Sequence, residues 1–582
     1  MKFVLFAFLP CLAAGQHAPV AKTLNGSYVG RYLPEFSQDL FLGIPYARSP
    51  ILGNPLPWNE TWKGTRSAEY YGSICHSGAS AQVIEVTNVT GKSAECLNLN
   101  IIRPSEKTLK GKKKLPVAVW LYGGAFGDGF GADLNSNYSW FVQESVAQNK
   151  SIIAITLNYR VGFLGFPGGD AAAKAGITNL GLKDQRQALR WIQENIEAFG
   201  GDPKKVTVWG QSAGAQSIAY QLMAYGGKSK EKLFHQGIMV SSSVGMGNTV
   251  RPSSTASVEG YRHILNATNC LGAQDELECL RKVPIDDLWK AAISIRTIAT
   301  WWPAIDGDFV HKPPTLSLLA GEFSRDVSIL AGTASDEGFS YTNLLSPGFD
   351  TDEELYAMLR ARFHAARNES IQELMRLYPV DAPSPPYALP ISDTDRFCTA
   401  LKEKGMKCGA QYRRVAAILG DFGLLYGRRV FANKFAELGL RFYSYRFDTW
   451  PTSFPITDGD VKPGFSGHGS DYSYWFGWPR EYELYGNNPP IANGSSHEAL
   501  QKAMTTRLIS YISTGNPNSI KVKEVPEWPP YSIKNPSNIV FNATETDLNV
   551  HIEPDTWRKE GMAFWARYAT EFDLAGSLKP GL

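Results

Sequence analysis

The β-branched run Val206-Thr207-Val208-Trp209, the pentapeptide Gly210-Gln211-Ser212-Ala213-Gly214 and a helix-forming stretch from Ala215 to Met223 follow one another directly. A strand that becomes a helix over so few residues needs a sharp turn. A serine at its apex occupies strained backbone space, and a Cβ at either flanking glycine would collide with it. The turn lifts the Ser212 hydroxyl above the sheet edge and brings the Ala213 N–H beside it. Glycine-serine pentapeptides also arise by chance in long chains, but the strand before this one and the helix after it argue for a nucleophile elbow.

A serine so placed needs donors for the oxyanion of a tetrahedral intermediate. Upstream, Val117-Ala118-Val119-Trp120-Leu121-Tyr122 reads as a buried strand running into Gly123-Gly124-Ala125-Phe126. Adjacent glycines let backbone N–H groups converge without a side chain in the way. The N–H groups of Gly124, Ala125 and Ala213 are therefore the candidate oxyanion hole, each donor worth about a hundred- to a thousand-fold in rate. A Gly-Gly pair after a strand is otherwise an ordinary loop; the elbow serine downstream favours the functional reading.

In such a fold the acid and the base follow the serine in the order Ser, Asp/Glu, His. Of nine histidines, His364, His468, His497 and His551 lie well downstream. His468 sits in the glycine-rich Gly464-Phe465-Ser466-Gly467-His468-Gly469, after the strand-like Arg441 to Phe447, where catalytic side chains are commonly mounted. His364 lies among Arg360, Arg362 and Arg367 and reads as a solvated surface residue, and His497 and His551 lack a glycine setting. For the acid, Val327 to Thr333 reads as a strand ending in Ala334-Ser335-Asp336-Glu337-Gly338. Either Asp336 or Glu337 can reach, and the residues alone do not choose.

The chain resembles the type-B carboxylesterase/lipase family, the cholinesterase-like α/β-hydrolases that also include fungal lipases and the non-catalytic neuroligins. The resemblance runs nearly end to end. It is carried by Phe41-Leu42-Gly43-Ile44-Pro45-Tyr46-Ala47, Glu95-Cys96-Leu97-Asn98-Leu99-Asn100, Asn158-Tyr159-Arg160-Val161-Gly162 and Gly181-Leu182-Lys183-Asp184-Gln185-Arg186. Phe199-Gly200-Gly201-Asp202-Pro203 and Pro303-Ala304-Ile305-Asp306-Gly307 extend it. It implies a secreted fungal-type carboxylesterase with a Ser212, Glu337, His468 triad, since the family's acid is the glutamate of Asp-Glu-Gly. Two departures stand out: Gln211 replaces the glutamate of cholinesterases, and Ala125 replaces a third glycine. Both positions are expected to act through backbone or packing without touching a catalytic atom. The resemblance also implies that Arg48 meets Glu95 and Arg160 meets Asp184, as structural pairs that are costly to break from one side.

Composition agrees. Alternating apolar strands and helices in the first half, with long helical excursions in the second, predict an α/β class with a mostly parallel sheet, in which Ala188, Leu189, Ile192 and Ile196 mark one helix face. Repeats and low-complexity segments are absent, and the punctuation from Pro379 to Pro390 reads as a loop inside the domain. Residues 1–15 read as a secretory signal, with Lys2, the apolar Phe3 to Leu12, and the small Ala13-Ala14-Gly15; residues 16–582 read as one hydrolase domain. The apolar run is too short to span a bilayer, and no C-terminal tail suits a lipid anchor. Basic and acidic residues nearly balance, 58 against 56, so no nucleic-acid partner is implied. Lys110 to Lys114 reads as a solvated loop. Losing Cys11 leaves six cysteines, whose spacing suggests Cys75–Cys96, Cys270–Cys279 and Cys398–Cys408. The first two match the family and the third is the remainder. Sequons at Asn25, Asn59, Asn88, Asn137, Asn149, Asn266, Asn368, Asn493 and Asn542 are candidate glycosylation sites on surface loops.

The expected partner is a small-molecule ester, with no metal or cofactor; oligomeric state is not legible. The Cys75–Cys96 loop, which carries the lid in family lipases, lacks a long apolar helical face, which favours small soluble esters over lipids. It also lacks a tryptophan, which argues against choline esters. By resemblance Trp301 narrows the acyl pocket, although Trp301 and Trp302 read equally well as core aromatics. The alternatives are a lipase or sterol esterase acting on long-chain esters and, from another class, a neuroligin-like adhesion protein, disfavoured because all three triad residues are present.

Overall fold

The computed structural model describes residues 18–79, 81–109, 114–244, 249–295, 301–339, 348–383, 387, 409–450, 466–482, 491 and 495–572. Among them, eleven strands form one sheet: β1 (Arg31–Leu33), β2 (Gln38–Pro45), β3 (Asn98–Pro104), β4 (Leu115–Leu121), β5 (Ile153–Leu157), β6 (Gly201–Gln211), β7 (Gln236–Val240), β8 (Ser328–Ala334), β9 (Phe442–Phe447), β10 (Ser537–Phe541) and β11 (His551–Pro554). Their order is β11-β10-β9-β8-β7-β6-β4-β5-β3-β2-β1. From β5 to β10 each neighbouring pair is parallel; the pairs outside are antiparallel. The central strands are buried along their length and read as continuous apolar runs, as strands covered on both faces must.

This topology fixes where chemistry can occur. The chain places β5 on one side of β4 and β6 on the other, so the strand order reverses there, and ligands of open α/β sheets bind beyond the carboxyl ends of strands at such a reversal. Strands β4, β6, β8 and β9 all point their carboxyl ends to that edge. The residues that follow them are the glycine loop, Ser212, the Asp336-Glu337 turn and the segment leading to His468.

The helix Ala213–Met223 is buried at every residue, under the sheet edge that it leaves. The helix Leu180–Asn195 buries Ala188, Leu189 and Ile192 completely, and Ile196 follows at its end. It also buries Asp184, Gln185, Arg186 and Gln187, a second face that apolar spacing does not reveal. The reason is polar. Arg160 Nε donates to Asp184 Oδ2 at 2.8 Å, Nη2 to Oδ1 at 2.6 Å, and the Arg160 backbone N–H to Oδ2 at 3.1 Å. The remaining Nη1 donates to the carbonyls of Pro50 and Gly53. With both partners buried, we expect Asp184→Ala to cost about 3–5 kcal/mol, read as a lowered denaturation midpoint at unchanged slope. A midpoint within error of wild type would show that the pair is solvated.

The expected Arg48–Glu95 pair does not form. Arg48 lies over the Trp58 ring at 4.9 Å and reaches Glu60 at 3.4 Å, while Glu95 accepts the Ser49 N–H at 3.3 Å. Arg48 is half exposed and is held by an aromatic face and a carboxylate twelve residues away, while Glu95 is taken up by the neighbouring Ser49 backbone. At the far edge of the sheet, Arg446 on β9 binds Glu553 on β11 through two hydrogen bonds and donates to Ser335 Oγ.

The disulfides Cys75–Cys96 and Cys270–Cys279 are present, with Cα separations of 4.9 and 5.6 Å. Cys398 and Cys408, residues 1–15, Lys110 to Lys113, most of Pro379 to Pro390 and Asn493 lie outside the described residues; Lys114 pairs with Glu197. Among the sequons, Asn59, Asn88, Asn149, Asn266 and Asn368 are exposed. Asn25, Asn137 and Asn542 are half-buried, and their Nδ2 atoms donate to Trp58 O, Tyr482 Oη and Asp448. Among the described residues no helix is long and apolar enough to cross a membrane.

Candidate active site

Ser212 has φ 56° and ψ −123°, outside the usual range for a residue with a Cβ. Its neighbours must be glycine. A Cβ on Gly214 would lie 2.0 Å from Leu121 O, and one on Gly210 2.5 Å from the Gly214 carbonyl carbon. The strain persists because β4, β6 and the helix Ala213–Met223 close on the turn from three sides.

The glycine loop meets the elbow directly. A Cβ on Gly123 would come 2.8 Å from Gln211 Oε1 and 3.1 Å from Ser212 Cβ. Gly124, Ala125 and Phe126 then all take positive φ, 94°, 52° and 58°, which turns successive amides the same way. No described backbone carbonyl accepts from the N–H groups of Gly124, Ala125 or Ala213. Alanine at 125 accepts left-handed backbone that glycine adopts freely, a strain of about 1–2 kcal/mol.

His468 Nε2 lies 2.9 Å from Ser212 Oγ, and its Nδ1 lies 2.6 Å from Glu337 Oε2. Fully buried, Glu337 also accepts the Ala334 N–H through Oε1 at 2.7 Å, so both carboxylate oxygens are engaged. The neighbouring Asp336 points elsewhere: its Oδ2 accepts the Ser466 N–H at 3.3 Å, and its own N–H donates to Ser466 O at 2.8 Å. Burial and the nearby Asp448 carboxylate push Asp336 up to about 8. The histidine loop is pinned at both ends. Ser466 bonds Asp336 and Phe447 O on one side. On the other, Tyr472 packs on Trp120 of β4, and Phe476 packs on Trp120 and on Trp209 of β6.

Among the other downstream histidines, His364 is exposed, His497 is buried against the Tyr474 hydroxyl at 2.9 Å, and His551 bonds Asn549. Two residues of the site escape sequence reasoning. Gln211 does touch the histidine, with Nε2 3.3 Å from His468 Nε2, contrary to the expectation that it acts only through backbone or packing. Asp471, also fully buried, accepts from Tyr445 Oη at 2.8 Å and Trp475 Nε1 at 3.1 Å, and burial together with the Glu337 charge pushes it up to about 6. Its only signal in the chain is an acid three residues after the histidine.

Trp301 is 8% exposed and packs edge-on to Phe163 at 4.9 Å, in the apolar cluster that also holds Phe126, Ala213 and Tyr220. Trp302 is half-buried, 6.1 Å from Phe126. Among the described residues, no cluster of three or more His, Cys, Asp or Glu is arranged to hold a metal.

A family model described as the carboxylesterase family matches residues 17–565. The chain belongs to the carboxylesterase family. This carboxylesterase is 29% identical to Secreted lipase 4 of Gibberella zeae, over 93% of its own length and 90% of the relative's. It is 30% identical to Secreted lipase 1 of Botryotinia fuckeliana, covering 85% and 84%. Among solved structures it is similar to Aspergillus niger EstA, with TM-score 0.77 and 25% identity over 96% and 99% of the two chains. The Geobacillus stearothermophilus carboxylesterase EST55 matches with TM-score 0.72 and 25% identity over 94% and 99%. The carboxylesterase thus has the α/β-hydrolase fold and is a carboxylic ester hydrolase acting on small-molecule esters.

Proposed function

We propose that this hydrolase works through Ser212, His468 and Glu337 by way of an acyl-enzyme, and that it favours small soluble esters. One observation carries the reading: a continuous hydrogen-bonded line from Ser212 Oγ through both nitrogens of His468 to Glu337. His468 takes the serine proton as Oγ attacks the ester carbonyl, and Glu337 fixes the ring's tautomer and stabilises the imidazolium. Gly124, Ala125 and Ala213 N–H groups bind the oxyanion. The protonated imidazole then gives its proton to the departing alcohol, and water, activated by the same ring, releases the acid.

The preference for small esters rests on the lid region. The Cys75–Cys96 loop carries one seven-residue helix, Ala81–Thr87, whose Val83 and Ile84 pack down on Ile74, Phe130 and Ala132. These two apolar side chains are therefore turned to the protein and not offered to a lipid. The lipase or sterol-esterase reading keeps support from the relatives' names. p-Nitrophenyl esters of increasing chain length, assayed below and above the solubility limit, separate the two. A short-chain optimum with no jump at the limit is expected; interfacial activation would establish a lipase. A neuroligin-like adhesion role would leave every ester untouched.

If Trp301 walls the acyl side of Ser212, we expect preference for acetyl to butyryl chains and a graded shift to longer ones in Trp301→Ala, about ten- to two-hundred-fold per methylene at most. An unchanged chain-length profile would make Trp301 a core residue. Met1 to Gly15 is read as a cleaved leader directing secretion, residues 16–582 as one domain, and the nine sequons as candidate glycosylation sites, of which Asn59, Asn88, Asn149, Asn266 and Asn368 are exposed.

A further inference from the structure

Gln211 is the last residue of β6 and stands directly before Ser212. Its buried amide is wedged between the two halves of the site. Oε1 faces Gly123 at the mouth of the oxyanion loop, and Nε2 lies 3.3 Å from His468 Nε2 and against Gly469. Glycine is required on one side only: a Cβ on Gly123 would come 2.8 Å from Oε1, whereas one on Gly469 would make an ordinary 3.5 Å contact with Nε2.

We propose that Gln211 is a positioning residue for His468, holding its Nε2 toward Ser212. The inference rests on the triad reading above. With Nδ1–H given to Glu337, the neutral ring has one lone pair, on Nε2, toward which both the Ser212 hydroxyl and the Gln211 amide N–H are directed. A donor at that place favours the ring without its second proton. Once Nε2 is protonated, the same N–H opposes it, and relief requires a half-turn of the amide that brings Oε1 round from Gly123.

Among the described residues, three other carboxyls lie near the ring or its loop. Glu337 on Nδ1 favours the imidazolium. Asp471, three residues beyond His468, is tied to Tyr445 and Trp475, and Asp336 is tied to the Ser466 backbone two residues before the histidine. Burial raises both of these carboxyls toward their neutral forms. Gln211 is thus the neutral counterweight to Glu337 on the far side of the ring.

The test uses the full chain and two readouts: the pH profile of kcat/KM for p-nitrophenyl butyrate, and the pH profile of covalent labelling by a fluorophosphonate. Gln211→Glu should move the acid limb of both profiles upward by about one to three pH units, because an anion within hydrogen-bond distance favours the imidazolium. Gln211→Met keeps length and bulk but loses the N–H; it should lower kcat several-fold with KM unchanged and move the limb upward by less. Profiles of the glutamate variant that superimpose on wild type, or a methionine variant equal to wild type in kcat and limb, would overturn the proposal. Should the glutamate variant not fold, the methionine variant decides alone. Labelling that persists in Ser212→Ala would instead overturn the triad reading, so the two failures are distinct.

Discussion

Ser212→Ala is expected to abolish ester hydrolysis and leave the fold intact. The hydroxyl's described partner is His468, and it caps no amide of the helix that follows. Alanine keeps the Cβ, so the backbone strain at φ 56° is unchanged, and no contact of the sheet or helix is lost. The reaction, in contrast, loses its nucleophile, and kcat should fall on the order of a million-fold. Turnover of p-nitrophenyl butyrate beside a circular-dichroism melt gives both answers at once. More than a trace of activity in the purified variant would remove Ser212 from the mechanism, and a lost melt would show that the hydroxyl supports the turn.

The second large effect separates two adjacent carboxyls. Glu337→Gln should reduce kcat about ten-thousand-fold, since an amide opposite Nδ1 stabilises the wrong tautomer and cannot balance the imidazolium charge. Asp336→Asn should cost less than a few-fold. At neutral pH Asp336, pushed up to about 8, is mostly uncharged, and asparagine keeps an oxygen for the Ser466 N–H. The same carboxyl makes stability depend on pH. An acid raised in the folded state binds its proton there after the unfolded chain has released it, at an ordinary value of 3.8. The stability tied to Asp336 is therefore greatest at low pH and is lost as pH rises from about 4 through 8. The Asp336→Asn substitution removes that loss, so the Tm of the variant should climb relative to wild type across this range. A constant Tm difference would mean that Asp336 is charged in the fold, and a large loss of activity in Asp336→Asn with little loss in Glu337→Gln would make Asp336 the acid of the triad.

Local strain is the part of this molecule that a sequence reader finds most easily. Gly210, Gly214, Gly123 and Gly124 are needed because no Cβ fits, and such requirements are written in consecutive residues. The residues alone leave the acid open between two neighbours, and family resemblance points to Glu337; in the structure the backbone of Ser466 holds Asp336 away from the ring. What stayed hidden depends on reach between distant segments. Gln211 and His468 are 257 positions apart, and nothing in a glutamine after a strand announces the contact. Asp471 hides for the same reason, because its partners Tyr445 and Trp475 look like ordinary core aromatics. The buried polar face of helix Leu180–Asn195 is invisible to apolar periodicity, since Arg160 and its carbonyl partners create it. Arg48 erred in the other direction: an exposed side chain followed its nearest neighbours, Trp58 and Glu60, over the family's pairing.

The clamp at the sheet edge has a consequence for how the protein is made. Arg446 joins Ser335, at the turn that presents Glu337, to Glu553 on β11. The elbow and the oxyanion loop leave the ribosome early, whereas Glu553 emerges long after them. A nascent chain stopped short of Glu553 already carries serine, acid and histidine, yet lacks the brace behind the acid turn. A chain cut inside β11 should therefore hold every reacting group and catalyse poorly.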